Sequence, residues 1–203
     1  MQVASRPIVI IADDLSGAAE LAGIAYARGY TAEVQRQFDP ASKAEVIAVD
    51  TDSRGLPPEV AADRVQTAAR AILATKPAWI FKKVDSILRG NVRAEIEAML
   101  KETGQKRALL IPANPSRGRT IAQGSYLIGG TPIDQTELAN APEQPRRSAL
   151  ISELLGPGNV ALHIASLRVE LPRRGIVVPD RLADTQGMHS LTIRCDDMTL
   201  PVG

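Results

Sequence analysis

Ile8, Val9, Ile10, Ile11 and Ala12 form an unbroken apolar, mostly β-branched run that stops at two carboxylates, Asp13 and Asp14. A strand with one wet face alternates apolar and polar residues. A short continuous run instead reads as a strand buried on both faces, in the interior of a parallel sheet. The next residues complete a first strand–helix unit. Ser16 is placed to cap a helix whose apolar residues Ala18, Leu21, Ala22 and Ala25 keep helical spacing, and Gly29 is placed to end it.

The pattern then repeats. Thr31 to Gln35 alternates as a short strand, and Val46 to Val49 is a second buried run, ending at Asp50, Thr51, Asp52 and Ser53. Pro57 and Pro58 open a helix over Glu59 to Ala74. Ala78 to Phe81 reads as a strand running into Lys82 and Lys83, Asn91 to Glu102 as a helix closed by Gly104, and Ala108 to Ile111 as a strand ending at Pro112. Alternation at this spacing predicts an α/β fold: a doubly wound, mostly parallel sheet with helices on both faces and ligands beyond the carboxyl ends of the strands. Between 113 and 145 Pro, Gly, Asn and Thr become frequent, so a long loop carrying a hairpin, Ser125 to Ile128 and Thr131 to Ile133, is inserted after the fourth or fifth strand. Beyond it the pattern predicts a short helix at Ser148 to Leu155, strands at Val160 to Ile164 and Ile176 to Val178, a brief helix after Asp180 and a last strand at Leu191 to Arg194. Leu200 to Gly203 reads as a frayed tail.

Composition narrows the function classes. The 203 residues are 44% hydrophobic with a formal charge of +1, which suits one folded domain over 1–203 and supplies no global field for nucleic acid or an acidic membrane. The single cysteine, Cys195, excludes an intrachain disulfide and a cysteine zinc cage, and His163 and His189 are too few for most metal sites, so no metal site is expected. No apolar stretch approaches the 18 or so residues of a spanning helix, and the N-terminus lacks signal-peptide character; a cytoplasmic location is expected. A phosphate loop, a G-x-G-x-x-G fingerprint and a G-x-S-x-G elbow are all missing.

Polar clusters stand at four consecutive strand ends. Asp13 and Asp14 can take a proton from a hydroxyl or hold a cation, although the same residues also fit a plain helix cap. Asp50, Ser53 and Arg54 form a second cluster; Lys82, Lys83, Asp85, Ser86 and Arg89 a third, in which the two lysines point to opposite faces so that one at most reaches the crevice. Asn114 and Arg117 stand in the fourth, a Pro-Ala-Asn-Pro-Ser-Arg-Gly-Arg-Thr loop. Hydroxyl, amide and guanidinium groups in such loops suit a polyhydroxy acid, while each loop taken alone also reads as a simple turn.

Taken together, ADDLSGA (12–18), VDTDSR (49–54), FKKVDSILRGN (81–91), the 112–120 loop and the Gly129–Ala139 stretch resemble the N-terminal domain of the four-carbon acid sugar kinase family. Ser16, Ile87 and Asn114 depart from its usual residues. The resemblance implies that Asp13 or Asp14 orients or deprotonates the acceptor hydroxyl. It further implies that Ser16, Asp50, Ser53, Arg54, Lys82, Lys83, Asp85, Ser86, Arg89, Asn114 and Arg117 bind a threonate-, erythronate- or 3-oxo-tetronate-like acid. ATP and Mg2+ are implied for the full kinase, with the nucleotide half absent from these residues and a nucleotide-binding domain on another chain, or a homo-oligomer, as partners. The competing reading is a non-catalytic module that binds or senses a hydroxy acid.

Overall fold

The computed structural model describes residues 6–166, 170–180 and 196–203. The strands β1 (Ile8–Ala12), β2 (Ala32–Gln35), β3 (Val46–Asp50), β4 (Trp79–Lys83), β5 (Arg107–Leu110), β9 (Leu162–Ser166), β10 (Gly175–Asp180) and β11 (Thr199–Val202) form one sheet in the order β2-β3-β1-β4-β11-β5-β10-β9. Every adjacent pair in it is parallel. Its two faces share β1 by simple alternation. Ile10 and Ala12 pack with Ala18 and Ala22 of α1 (Leu15–Tyr26), whereas Val9 and Ile11 join the larger core beneath α2 (Pro58–Ala74) and α3 (Val92–Thr103). The doubly wound α/β architecture is therefore present, and its long insertion follows β5.

Three local expectations change. The α1 cap is Asp14, not Ser16: Asp14 is extended, with φ −146° and ψ 161°, and its Oδ1 accepts from Gly17 N at 2.8 Å. The chain leaves α1 through Ala27, with Gly29 two residues later in the left-handed region at φ 89°. The insertion carries three antiparallel strands, not a lone hairpin: β6 (Arg119–Ala122), β7 (Ser125–Ile128) and β8 (Thr131–Pro132). Gln123 and Gly124 turn between β6 and β7 with φ of 52° and 73°, a two-residue turn that a glutamine at the first position disguises. The short helix α4 (Ile151–Leu155) follows.

The largest correction concerns Leu200 to Gly203. This stretch supplies β11, inserted between β4 and β5, where Leu200 and Val202 are 0% and 2% exposed. Proline is rare inside a sheet, so Pro201 hides the strand in the sequence. The driving force is the open edge that β4 and β5 would otherwise present: Ile111 N donates to Val202 O at 2.8 Å and Val84 N to Gly203 O at 2.9 Å. The helix expected after Asp180, the strand at Leu191 to Arg194, His189 and Cys195 lie outside the described residues.

Leu200→Ala is expected to cost about 2–5 kcal/mol in urea denaturation, because it opens a cavity in a packed core. A tail lying on the surface would lose no more than about 0.5 kcal/mol.

Candidate functional site

A cavity of about 960 Å³ opens at the carboxyl ends of β1, β4, β11 and β5, and residues 112–119 wall its far side. Its organising group is the Arg54 guanidinium. Nε and Nη2 hold Asp13 bidentately at 2.6 and 3.0 Å, while Nη1 lies 2.7 Å from Asp14 Oδ2 and 3.6 Å from Asp85 Oδ1. The backbone sets this up: Ser53 N and Arg54 N both donate to Asp13 O, at 2.9 and 3.2 Å, so the loop after β3 is stitched to the end of β1. Burial alone would lower the Arg54 pKa; the Asp13 hydrogen bonds and the surrounding carboxylates outweigh it and raise the pKa instead. Gly90, with φ 82°, closes the arrangement from the β4 side. A Cβ there would stand 3.0 Å from the Arg54 side chain and 3.3 Å from its Cα, which only glycine avoids.

Among the carboxylates of the cavity wall, Asp85 accepts the most hydrogen bonds. Its Oδ2 accepts from Ile87 N, Arg89 N and Arg89 Nε at 3.1, 3.0 and 3.0 Å, and its Oδ1 from Arg89 Nη2 at 2.7 Å. Burial pushes its carboxyl up, but the Arg89 hydrogen bonds and the Arg54 charge prevail and hold it below its ordinary 3.8. Ser86 also lines the cavity, and its carbonyl accepts from Tyr126 Oη at 2.5 Å, which ties the small sheet to the site loop; burial pushes the Tyr126 phenol up to about 12. From the insertion, Gln144 Oε1 accepts from Gly90 N at 2.6 Å and Arg146 Nη1 donates to Leu88 O at 3.0 Å. The site loop is thus fastened from above as well as below.

The two lysines separate as alternation requires. Lys83 lines the cavity, with Nζ donating to Val84 O at 2.7 Å and 3.7 Å from Glu20 Oε2. Lys82 points to the opposite face and is fully buried, its Nζ 2.7 Å from Glu95 Oε2 and donating to Lys83 O at 2.8 Å. Glu95 Oε2 takes no aligned hydrogen bond, so the neighbouring ammonium charge is its partner. The other oxygen, Oε1, accepts from Ser53 Oγ at 2.6 Å, and Ser53 Oγ pairs with Thr51 Oγ1 at 2.8 Å.

Of the expected site residues, Asp14, Ser16, Arg54, Lys83, Asp85, Ser86, Arg89, Asn114 and Arg117 share the cavity wall. Four stand elsewhere. Lys82 and Ser53 belong to the buried brace on Glu95, because strand alternation and loop geometry turn them beneath the sheet. Asp50 is buried at the end of β3, accepting from Asp52 N at 2.8 Å. Asp13 is 2% exposed and spent on Arg54, leaving Asp14 as the carboxylate of the pair that faces the cavity. Ile87 packs in the core, so its departure from the family pattern does not touch the cavity. Sequence reasoning missed Glu95, an unremarkable helical glutamate, and Arg119, which also lines the cavity and whose signal was its place two residues after Arg117. His163 sits on β9, outside the cavity wall.

Two outcomes test this geometry. Glu95→Ala strands the Lys82 ammonium in the core and is expected to cost about 3–5 kcal/mol, with most of it regained in the Lys82→Met/Glu95→Leu double variant; equal losses in both would show that the pair is not coupled. Asp85, with its folded pKa below 3.8, contributes stability that is complete above that value and lost as pH falls through the lower folded value. Urea midpoints from pH 7 down to about pH 2 are therefore expected to decline more steeply below pH 4 for the wild type than for Asp85→Asn, and parallel acid limbs would contradict the assignment.

Residues 8–189 match the family model of the sugar-binding N-terminal domain. The chain is 38% identical over 154 residues to the D-erythronate kinase of Heliobacterium modesticaldum, covering 73% of this chain and 35% of that protein. It is 35% identical over 211 residues to the D-threonate kinase of Bordetella bronchiseptica, covering 97% and 52%. A crystal structure from Bordetella bronchiseptica, a domain-swapped dimer with bound citrate, superposes with a TM-score of 0.80 at 31% identity over 98% of this chain and 55% of that one. A Haemophilus influenzae protein gives a TM-score of 0.83 at 20% identity over 96% of this chain and 53% of its own, a likeness of fold. The chain thus spans between about a third and a half of the length of these curated relatives. With the model covering most of its length, the chain belongs to the family of sugar-binding N-terminal domains found in the four-carbon acid sugar kinases.

Proposed function

We propose that residues 1–203 form one acid-sugar-binding domain serving an ATP-dependent four-carbon acid sugar kinase. The observation that carries this reading is one cavity whose wall brings the Asp14 carboxylate together with the Lys83 ammonium and the Arg54 and Arg89 guanidiniums at the strand ends. A tetronate carries a carboxylate and neighbouring hydroxyls, and the wall offers partners for each. Lys83 and the edge of the 35%-exposed Arg89 guanidinium that Asp85 leaves open take the carboxylate; Asp14, with Ser16 and Ser86, takes hydroxyls. Asp14 is the group that accepts the proton of the reacting hydroxyl, since Arg54 fixes its Oδ2 and the Gly17 amide fixes its Oδ1. Asp13 acts through Arg54 and does not touch substrate.

A magnesium nucleotide does not fit the described residues. Asp13, Asp14 and Asp85 are committed to guanidiniums, Glu20 lies 3.7 Å from the Lys83 ammonium, and among the described residues no group of three or more His, Cys, Asp or Glu is arranged to hold one ion. ATP and Mg2+ are therefore assigned to a separate nucleotide-binding domain. The citrate in the Bordetella bronchiseptica structure, a hydroxy acid, supports the ligand class, and its domain-swapped dimer supports a homo-oligomer. A cytoplasmic location belongs to the same reading; no helix among the described residues is long and apolar enough to cross a membrane.

Calorimetric titration with D-erythronate and D-threonate is expected to show one site per chain. At a hundredfold excess over Kd the ligand should stabilise the fold by about 2.7 kcal/mol. Lys83→Met and Arg89→Met should each weaken binding at least about tenfold, the loss of one charge-assisted contact. Binding of glycerol as tight as that of the tetronates would overturn the reading, as would failure of both acids to bind. Robust ATP turnover by this chain alone would overturn the assignment of the nucleotide to a separate domain.

A further inference from the structure

The cations around the cavity are not equivalent. Arg54 and Arg89 each carry a bidentate aspartate, Arg89 with one guanidinium edge left open, and Lys83 has Glu20 nearby. Arg117 and Arg119 line the same cavity, yet among the described residues neither side chain takes a carboxylate or donates a hydrogen bond to a protein acceptor. The wall they stand on carries no acid: from Leu109 through Arg119 its lining residues are apolar, amide, hydroxyl or guanidinium. The cavity is therefore polarised, with all of its carboxylates on the side of α1 and the β4 loop.

The backbone beneath the two arginines is fixed. Asn114 and Arg119 exchange both backbone hydrogen bonds, at 2.9 and 3.0 Å, and Gly129 N donates to Gly118 O at 2.8 Å. Gly118, left-handed at φ 68°, stands between the arginines at the corner where the short 3-10 turn Pro115–Arg117 enters β6. On the tetronate reading the one carboxylate of the ligand goes to Lys83 and the open edge of Arg89, so the second basic wall calls for a second anionic group on the ligand. A phosphate monoester at the hydroxyl farthest from the carboxylate has the charge and the three acceptor oxygens that paired guanidiniums bind bidentately.

We propose that Arg117 and Arg119 form a second anion pole of the cavity, which holds the phosphate of the phosphorylated acid sugar and so makes this domain a binder of product more than of substrate. This rests on the tetronate reading of the cavity.

The test is calorimetric titration of the full chain with D-erythronate, its 4-phosphate ester, succinate and inorganic phosphate, using wild type, Arg117→Gln, Arg119→Gln and the double variant, each checked for an unchanged melting temperature. The phosphate ester is expected to bind the wild type at least tenfold more tightly than erythronate. The double variant should abolish that preference, read as the ratio of the two Kd values, and Arg117→Lys/Arg119→Lys should restore part of it. Equal weakening of ester and erythronate, or no preference in the wild type, would overturn the proposal. Succinate gaining as much as the ester would replace the phosphate by a second carboxylate and overturn it too. Should erythronate fail to bind, the tetronate reading falls, and the pole is then judged alone by whether inorganic phosphate binds the wild type and is lost in the double variant.

Discussion

Three carboxylates on two separate strand ends point at one guanidinium, and the rest of the site depends on that meeting. Asp13 and Asp14 at the end of β1 and Asp85 after β4 would repel one another in a partly dry crevice, and a central cation offsets that repulsion. Arg54 supplies it, from a loop that the Asp13 carbonyl has already drawn in through two backbone amides. Asp13 is used entirely as an anchor for the guanidinium. Asp14 is shared between the guanidinium and the first turn of α1, which leaves its position fixed and its face open to the cavity. Two adjacent aspartates, equal in the sequence, thus divide into a buried anchor and a carboxylate open to the cavity.

A second polar assembly, on the other side of the sheet, bears on the same loops. Lys82 and Glu95 are 0% and 1% exposed, and a pair so dry gains little net stability from its own attraction after desolvation. Its consequence is positional. Glu95 reaches Ser53, which precedes Arg54, while Lys82 bonds the carbonyl of Lys83, which faces the cavity. Asn91 adds its amide to the carbonyls of Ser53 and Leu56. The loop that carries Arg54 is therefore clamped from below by α3 and its cap, and the loop that follows Lys83 from above by Tyr126, Gln144 and Arg146.

How much of this was legible in the sequence depends on the range of the interactions. Ile8 to Ala12 and Val46 to Val49 declare buried parallel strands because burial on both faces is written into consecutive residues. The split between Lys82 and Lys83 follows from the two-residue period of any strand, although which lysine faces the cavity does not. The capping role of Asp14 over Ser16 turned on one backbone dihedral, since both residues have acceptors in reach of a first turn. Glu95 carried no local signal: its partners Ser53 and Lys82 lie 42 and 13 residues away, and only the packing of α3 brings them together. Pro201 gave an actively misleading signal, because a proline reads against a central strand when its neighbours are unknown.

That misread strand also explains why fold and site cannot be separated here. β11 is the most non-local strand of the sheet relative to its neighbours, pairing Val202 with Lys82 and with Leu110. Its end is tied to the site itself, for Gly203 N donates to Lys82 O at 3.1 Å and Val84 N donates to Gly203 O. These two bonds bracket Lys83, the residue whose ammonium enters the cavity. Loop closure over such a separation comes at an entropic cost that local elements do not bear. The backbone on both sides of Lys83 is consequently held by the strand farthest along the chain, although no β11 side chain carries a charge.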